Sequence, residues 1–360
     1  MSFRSDFVYE GLPGRVVFGA GCRRHVEREV IALGATHALV LCTPGQKAFG
    51  HEVAGLLGDR AAGVFPGARM HVPIEVAREA IARARALGAD CCVAVGGGST
   101  VGLGKAIALD SGLPIVAIPT TYAGSEMTPI YGITEAGLKK TGRDARVLPR
   151  TVLYDPDLTT TLPATIRLTS GINAIAHAAE GLYAHDGNPI TALMAEEGIR
   201  AIAGALDRFG VSGAGNVDDT ESSSLALYGA WLCGTVLGSV AMGLHHKLCH
   251  TLGGSFDLPH AETHTVMLPH TLAYNALHAR DGLARTARAL GQSDATVALY
   301  ELIGRCAGPR SLKQLGMAAS GLDRVAELAV ANPYPNPRPL EREAIRAMLQ
   351  RAWEGLPPQA

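Results

Sequence analysis

This chain lacks most of the features that announce a macromolecular partner. Neither sign of charge is in surplus: 32 Lys and Arg stand against 33 Asp and Glu, with no long run of one sign. That balance excludes a nucleic-acid backbone or an anionic membrane surface as the expected partner. A cysteine framework is missing as well. Seven cysteines, an odd number, are scattered at 22, 42, 91, 92, 233, 249 and 306 with no CxxC spacing, so no disulfide scaffold is expected and a reducing cytoplasm is the expected compartment. The start, MSFRSDFVYEGLPG, carries Arg4, Asp6 and Glu10 and no apolar run of signal-peptide length.

Long hydrophobic runs are scarce too, with one exception. Residues 225–244 hold no charge and are long enough to cross a bilayer as a helix. Gly229, Gly234, Gly238 and Gly243 interrupt the stretch, which runs into His245, His246 and Lys247 and has no basic flank or aromatic belt at its other end. The expectation is a helix buried on all sides, its glycines marking close packing, and no membrane partner.

Across 360 residues, 47% hydrophobic and 18% charged content supports two ordinary cores. From residue 14 to about 155, short β-branched runs (RVVFG, ALVLCT, AGVF, CCVAVGGGS, PIVAIPTT, TVLYD) alternate with helical stretches at 22–34, 46–57, 73–87 and 101–110. Such alternation predicts βα units around a parallel sheet. The runs at 91–95 and 115–118, apolar without alternation, predict strands buried on both faces. After Asp155-Pro156 the strand-like runs stop and Ala/Leu-rich segments begin near Pro163, with Thr161 or Ser170 as helix N-cap candidates. The expected division is a dinucleotide-binding α/β domain over 1–160 and an all-helical substrate domain over 161–360. A Pro-rich stretch, NPYPNPRP at 332–339, leads into a last helix beginning near Glu341.

Three groups of residues carry chemistry. The first is Gly96-Gly97-Gly98-Ser99, between a strand and the helix that bears Lys105. Without Cβ atoms the backbone can approach a ligand, and the helix N-terminus favours a diphosphate. The sequence is neither GxGxxG nor a Walker loop, so a plain tight turn competes with this reading. The second is the loop from Pro119 through Thr120, Thr121 and Tyr122 to Glu126, at the carboxyl end of another strand, where open α/β sheets bind ligands. At the end of ALVLCT, Thr43-Pro44-Gly45-Gln46 offers no carboxylate to a ribose hydroxyl, which leaves NADH and NADPH both admissible.

The third group is the densest: Asn173 and His177 four residues apart, then His245, His246 and His250, then His260 and His264. Residues four apart share a helix face. A single histidine is most often structural, but five within twenty residues beside an apolar helix point to a site that binds a cation, moves protons or steadies an anion.

On GGGS with Lys105, the PTTYAGSE loop, Asn173-x3-His177 and His246-x3-His250-x9-His260, the chain resembles the iron-containing alcohol dehydrogenase superfamily nearly end to end. The resemblance implies a Rossmann-like N-terminal domain with a parallel sheet, an all-α C-terminal domain as in the dehydroquinate synthase-like fold, a nicotinamide cofactor, and a cleft between the domains. It places the superfamily's metal-ligand positions on Asn173, His177, His246 and His260, and a proton-handling histidine on His250. Two carboxylates of that pattern are absent: Asn173 stands for an Asp, and Gly102 for another in GGGSTVGLGK.

The same departures mark a subgroup of that superfamily that reduces maleylacetate, a small dicarboxylate, to 3-oxoadipate during breakdown of aromatic compounds without a required metal. The chain resembles it also in AGSEMTP, GRDARVLPRTVLYDPDLT, GLHHKLCHTLGG and NPYPNPRPL. By this resemblance Thr43, Gly97, Gly98, Ser99, Thr120 and Thr121 contact the cofactor, Lys140 reaches it from a loop, and Tyr122 shapes the substrate side with Asn173, His177, His246 and His250. His250, His246, His177, His260 and Asn173 form the catalytic set, and a homodimer is expected. Two readings compete: a metal-dependent alcohol or aldehyde reductase of the same superfamily, and a dehydroquinate synthase-like lyase.

Overall fold

The computed structural model describes residues 7–12, 14–136, 138–211, 220–332 and 334–360; Arg4, Asp6 and Pro333 lie outside them. The apolar runs of the N-terminal half become strands β1 (Arg15–Phe18), β2 (Ala38–Leu41), β3 (Ala61–Phe65), β4 (Cys91–Gly96) and β5 (Ile115–Pro119). Between them lie helices α1 (Val26–Ala32), α2 (Lys47–Leu57), α3 (Ile74–Ala86) and α4 (Gly98–Ser111). After β5 comes an antiparallel hairpin, β6 (Ile130–Glu135) and β7 (Leu138–Arg143), and then β8 (Thr151–Tyr154). Six strands form one parallel sheet in the order β1-β8-β5-β4-β2-β3. Every residue of β2, β4, β5 and β8 is buried, as continuous apolar runs covered on both faces require. The free cysteines include Cys91 and Cys92, packed inside β4.

The strand order puts a topological switch between β2 and β4: the chain steps outward from β2 to β3, then returns to β4 and continues to β5 on the other side. Open α/β sheets bind ligands at the carboxyl ends of the strands flanking such a point.

The remaining helices are α5 (Ala164–Gly181), α6 (Pro189–Val211), α7 (Thr220–Ser239), α8 (Leu244–Phe256), α9 (His260–Asn275), α10 (Arg280–Ala289), α11 (Ala295–Arg305), α12 (Leu322–Ala331) and α13 (Arg342–Glu354). The chain forms two compact units. One comprises residues 11–162 with 218–227, the other 163–217 and 228–360 with 1–10, where the sequence suggested a single cut after 160.

In the helical unit Asp294 caps α11 and Asn188 Oδ1 accepts from Ile190 N and Thr191 N at the start of α6, whereas α5, α8 and α9 begin without a side-chain cap of their own. Helix α5 begins after Pro163 with no side-chain cap; Ser170 instead donates to Ile166 O at 2.6 Å inside the helix, and Thr161 precedes the capping position. Between α6 and α7 the backbones nearly touch: a Cβ on Gly229 would lie 2.9 Å from Gly198 O. The uncharged stretch at 225–244 is not one helix, since α7 ends at Ser239 and α8 starts at Leu244 after a 95° bend. Among the described residues no single helix is long and apolar enough to cross a membrane.

Candidate active site

In the α/β unit, three loops meet at the carboxyl ends of β2, β4 and β5. Gly96 closes β4 with φ +146°, a conformation L side chains rarely adopt, and a Cβ there would lie 2.6 Å from Thr100 Oγ1 and 2.8 Å from Gln46 Oε1. A Cβ on Gly97 would crowd Thr121 Oγ1 at 3.0 Å. Helix α4 starts at Gly98, so Ser99 lies in its first turn, earlier than the 101–110 stretch suggested. Gln46 bridges the outer loops: it accepts from Thr43 Oγ1 at 3.2 Å and donates to Thr120 Oγ1 at 3.0 Å. Thr43, Gly97, Gly98, Ser99, Thr120 and Thr121 are thereby assembled around one helix N-terminus. Fourteen residues of helix and a glycine cradle fit the diphosphate of a dinucleotide.

Lys105, about two turns into α4, is fully buried. Its ammonium donates to Ser125 O (2.6 Å), Thr128 O (2.8 Å), Thr128 Oγ1 (2.9 Å) and Ile130 O (2.7 Å). It pins the segment that follows the Thr120–Thr121 loop. Burial pushes its pKa down to about 7, with the buried Glu126 carboxylate acting the other way. Tyr122 is wholly buried. Lys140 departs from expectation: it sits on the exposed strand β7 rather than a loop, and its ammonium donates to Glu135 Oε2 at 2.7 Å.

In the helical unit, α5, α8 and α9 bring the histidines together. Asn173 and His177 share a face of α5, both buried. His246 and His250, a turn apart on α8, have ring centroids 6.1 Å apart. Helix α8 continues through Gly253 and Gly254 to Phe256, so only Asp257, Leu258 and Pro259 separate it from His260 at the start of α9. His250 and His260 stack at 6.2 Å, His260 and His264 lie 4.4 Å apart, His246 lies 5.1 Å from His264, and His177 lies 5.2 Å from His246. Exposure falls along this chain: His250 is exposed, His260 half-buried, and His246, His264, His177 and Asn173 buried.

Four inward atoms, Asn173 Oδ1, His177 Nδ1, His246 Nε2 and His264 Nε2, are buried with no hydrogen-bond partner among the described residues. Each such group costs about 1–3 kcal/mol, so their convergence describes a place for a polar ligand. Burial, reinforced by neighbouring imidazoles, holds His177, His245 and His264 well below the ordinary histidine range, so these three are neutral at pH 7.

Sequence reasoning missed Glu180. Three residues past His177 on the same face of α5, it is 1% exposed. Its carboxylate accepts from His245 N at 2.8 Å, His246 N at 3.4 Å and His246 Nδ1 at 2.5 Å. The signal was the spacing Asn173, His177, Glu180, a continuous helical stripe. Behind the cluster, Thr271 donates its single proton to Met267 O or Leu268 O, so it accepts from His245 Nδ1 at 3.0 Å. Neutral His245 then accepts through Nε2 from His264 Nδ1 at 2.9 Å. Among the described residues, one trio of metal-capable side chains has its ligand atoms within 4.8 Å of one another, His245, Cys249 and His264. Its histidines are bonded to each other, and burial drives the Cys249 thiol well above its ordinary range.

A glycine cradle at a sheet switch point in one unit and a histidine cluster on helices in the other are the parts of a nicotinamide-dependent dehydrogenase. The iron-containing alcohol dehydrogenase family matches over residues 13–156, and the C-terminal part of the Fe-containing alcohol dehydrogenase family over residues 167–353; the chain belongs to this family. Within it, the similar proteins include maleylacetate reductases. That of Burkholderia cepacia is 63% identical over 98% of this chain and 99% of its own length, and that of Rhizobium sp. strain MTP-10005 is 55% identical over 98% and 99%. The crystal structure of maleylacetate reductase from Agrobacterium tumefaciens superposes with a TM-score of 0.93 at 54% identity, covering 99% of this chain and 100% of that one.

Proposed function

We propose that this chain reduces the C=C of 2-maleylacetate to 3-oxoadipate with NADH or NADPH, and that it needs no metal to do so. The observation that carries the reading is Asn173: a neutral amide with a buried, unpartnered Oδ1 stands one turn before His177 on the same face of α5, at the position where the family pattern has a carboxylate.

The substrate is a dianion whose alkene is conjugated to a ketone. A bound reduced nicotinamide supplies the hydride, held by the glycine cradle and by Thr43, Thr120 and Thr121. Hydride on the alkene carbon β to the ketone moves the π electrons onto the ketone oxygen as an enolate, and a proton on the adjacent carbon completes the product. His246, His177 and Asn173 line the inner end of the histidine cluster and bind the substrate's polar end. His250, the exposed member, exchanges protons with solvent and is the residue we assign to protonating the enolate carbon. His260, stacked on it, fixes its ring. Tyr122 shapes the substrate side.

The donor set supports metal independence. Asn173, His177, His246 and His260 are all neutral ligands, and the one buried carboxylate of this unit among the described residues, Glu180, has both oxygens engaged by α8. These four neutral residues offer iron(II) no charged oxygen ligand, and a carboxylate at 173 would repel the dianion. A second reading, a zinc-dependent alcohol or aldehyde reductase, draws on the Glu180–His246 contact, because a carboxylate on the outer nitrogen is how ligating histidines are commonly oriented.

Oxidation of NADH and NADPH followed at 340 nm with maleylacetate, and in parallel with simple aldehydes, decides between them. Turnover of maleylacetate, with His250→Ala lowering kcat far more than cofactor affinity, is the expected result; turnover of aldehydes alone overturns the proposal. The homodimer belongs to the same proposal and is read by light scattering.

A further inference from the structure

We propose that Glu180 is a positioning residue for the reaction, setting the orientation of His246 and His250 together; this rests on the reading of the chain as a maleylacetate reductase. Helix α8 has no cap of its own. Its N-cap is Gly243, which makes no side-chain hydrogen bond, so the first N–H groups of the helix need acceptors from elsewhere. They find two. Leu244 N donates to Asn336 Oδ1 at 3.3 Å, from the Pro-rich segment, and His245 N and His246 N donate to Glu180. Both acceptors crowd the glycine: a Cβ at 243 would lie 3.1 Å from Glu180 Oε1 and 3.2 Å from Asn336 Oδ1. Glycine is therefore the residue that lets a buried carboxylate reach a helix end from the side.

The same carboxylate does a second thing. Oε2 accepts from His246 Nδ1 at 2.5 Å, which assigns the Nδ1–H tautomer and leaves Nε2 as the atom turned to the site, where it is buried and unpartnered. One side chain on α5, the helix of Asn173 and His177, thus fixes both the start of α8 and the ring plane of its first site histidine. His250 follows one turn later on the same rigid helix, so its position depends on that anchor. No other carboxylate among the described residues of this unit is buried, and nothing else there can replace the contact.

The test is steady-state kinetics of E180A and E180Q beside the wild type, with NADH affinity by fluorescence titration and folding by melting temperature. Loss of the carboxylate that orients a metal-ligating histidine costs on the order of 10–100-fold, and the same scale is expected for a histidine oriented to a substrate. We expect kcat to fall about 100-fold in E180A and about 10-fold in E180Q, whose amide oxygen still accepts from Nδ1–H while its NH2 leaves the His245 N–H without an acceptor, with NADH affinity unchanged in both. A kcat within twofold of wild type in E180A overturns the inference, as does an equal loss in E180Q and E180A accompanied by weakened NADH binding. Should E180A not accumulate as folded protein, E180Q carries the test alone, and a kcat within twofold of wild type overturns it. A wild type inactive on maleylacetate would refute the functional reading instead, so the two failures are distinct.

Discussion

Acid should unfold the helical unit in a way traceable to single buried imidazoles, and His270 gives the cleanest measure. It lies in the second half of α9, 2% exposed. Burial, with the Arg351 charge adding to it, pushes its pKa down from 6.5 to about 4. The folded state therefore resists a proton that the unfolded chain accepts, and stability is intact above pH 6.5 and lost as pH falls from there toward 4. The gap between 6.5 and about 4 corresponds to about 3 kcal/mol in all, of which about 1 kcal/mol falls between pH 7 and 5.5. Both tryptophans, Trp231 and Trp353, belong to the helical unit, so their fluorescence during urea unfolding reports on it. The wild type should lose about 1 kcal/mol more stability than His270→Gln on going from pH 7 to pH 5.5. His177, His245 and His264 remain in both proteins and cancel. Stability curves that run parallel across this interval would refute the reasoning.

The remaining predictions concern the site. Gly96→Ala forces a side chain into a positive-φ position against Thr100 and Gln46, a strain of about 1–3 kcal/mol; NADH affinity by fluorescence titration should fall at least about tenfold. Lys105→Met removes the ammonium from Thr128 O, Thr128 Oγ1 and Ile130 O, and from Ser125 O, which keeps Thr128 as a donor; it should destabilise the loop by roughly 3 kcal/mol, seen as faster hydrogen exchange at 125–130. Asn173→Asp returns a carboxylate to the histidine cluster; zinc bound per chain, by elemental analysis, should rise toward one while maleylacetate turnover falls more than about tenfold.

The parallel sheet was legible because each of its strands is an apolar run bounded by turn residues, and burial on both faces leaves no other use for CCVAV or PIVAI. The β6–β7 hairpin was not. Its second strand, Leu138–Arg143, carries two lysines, a threonine, a glycine and an arginine, and a strand held by hairpin pairing at a surface needs no hydrophobic signature. The histidines were legible through their i,i+4 spacing, which α5, α8 and α9 convert into shared faces. Lys140 lies on that same polar strand, where nothing in the local sequence distinguishes a strand from a loop. Glu180 escaped notice because a glutamate at the end of an alanine-rich helix ordinarily faces water; only the packing of α8 against α5 makes it buried and paired. Its partner Gly243 read as one more glycine in an apolar stretch, whereas the helix break there exposes the N–H groups that Glu180 and Asn336 satisfy.

The central claim is that neutral Asn173 and its histidines support the reduction without a metal. The direct measurement is NADH oxidation with maleylacetate by protein stripped with EDTA and shown metal-free by elemental analysis, before and after addition of Fe(II) or Zn(II). The account predicts full activity in the stripped enzyme and no gain on adding either ion. Activity lost with the metal and restored by its return would contradict it.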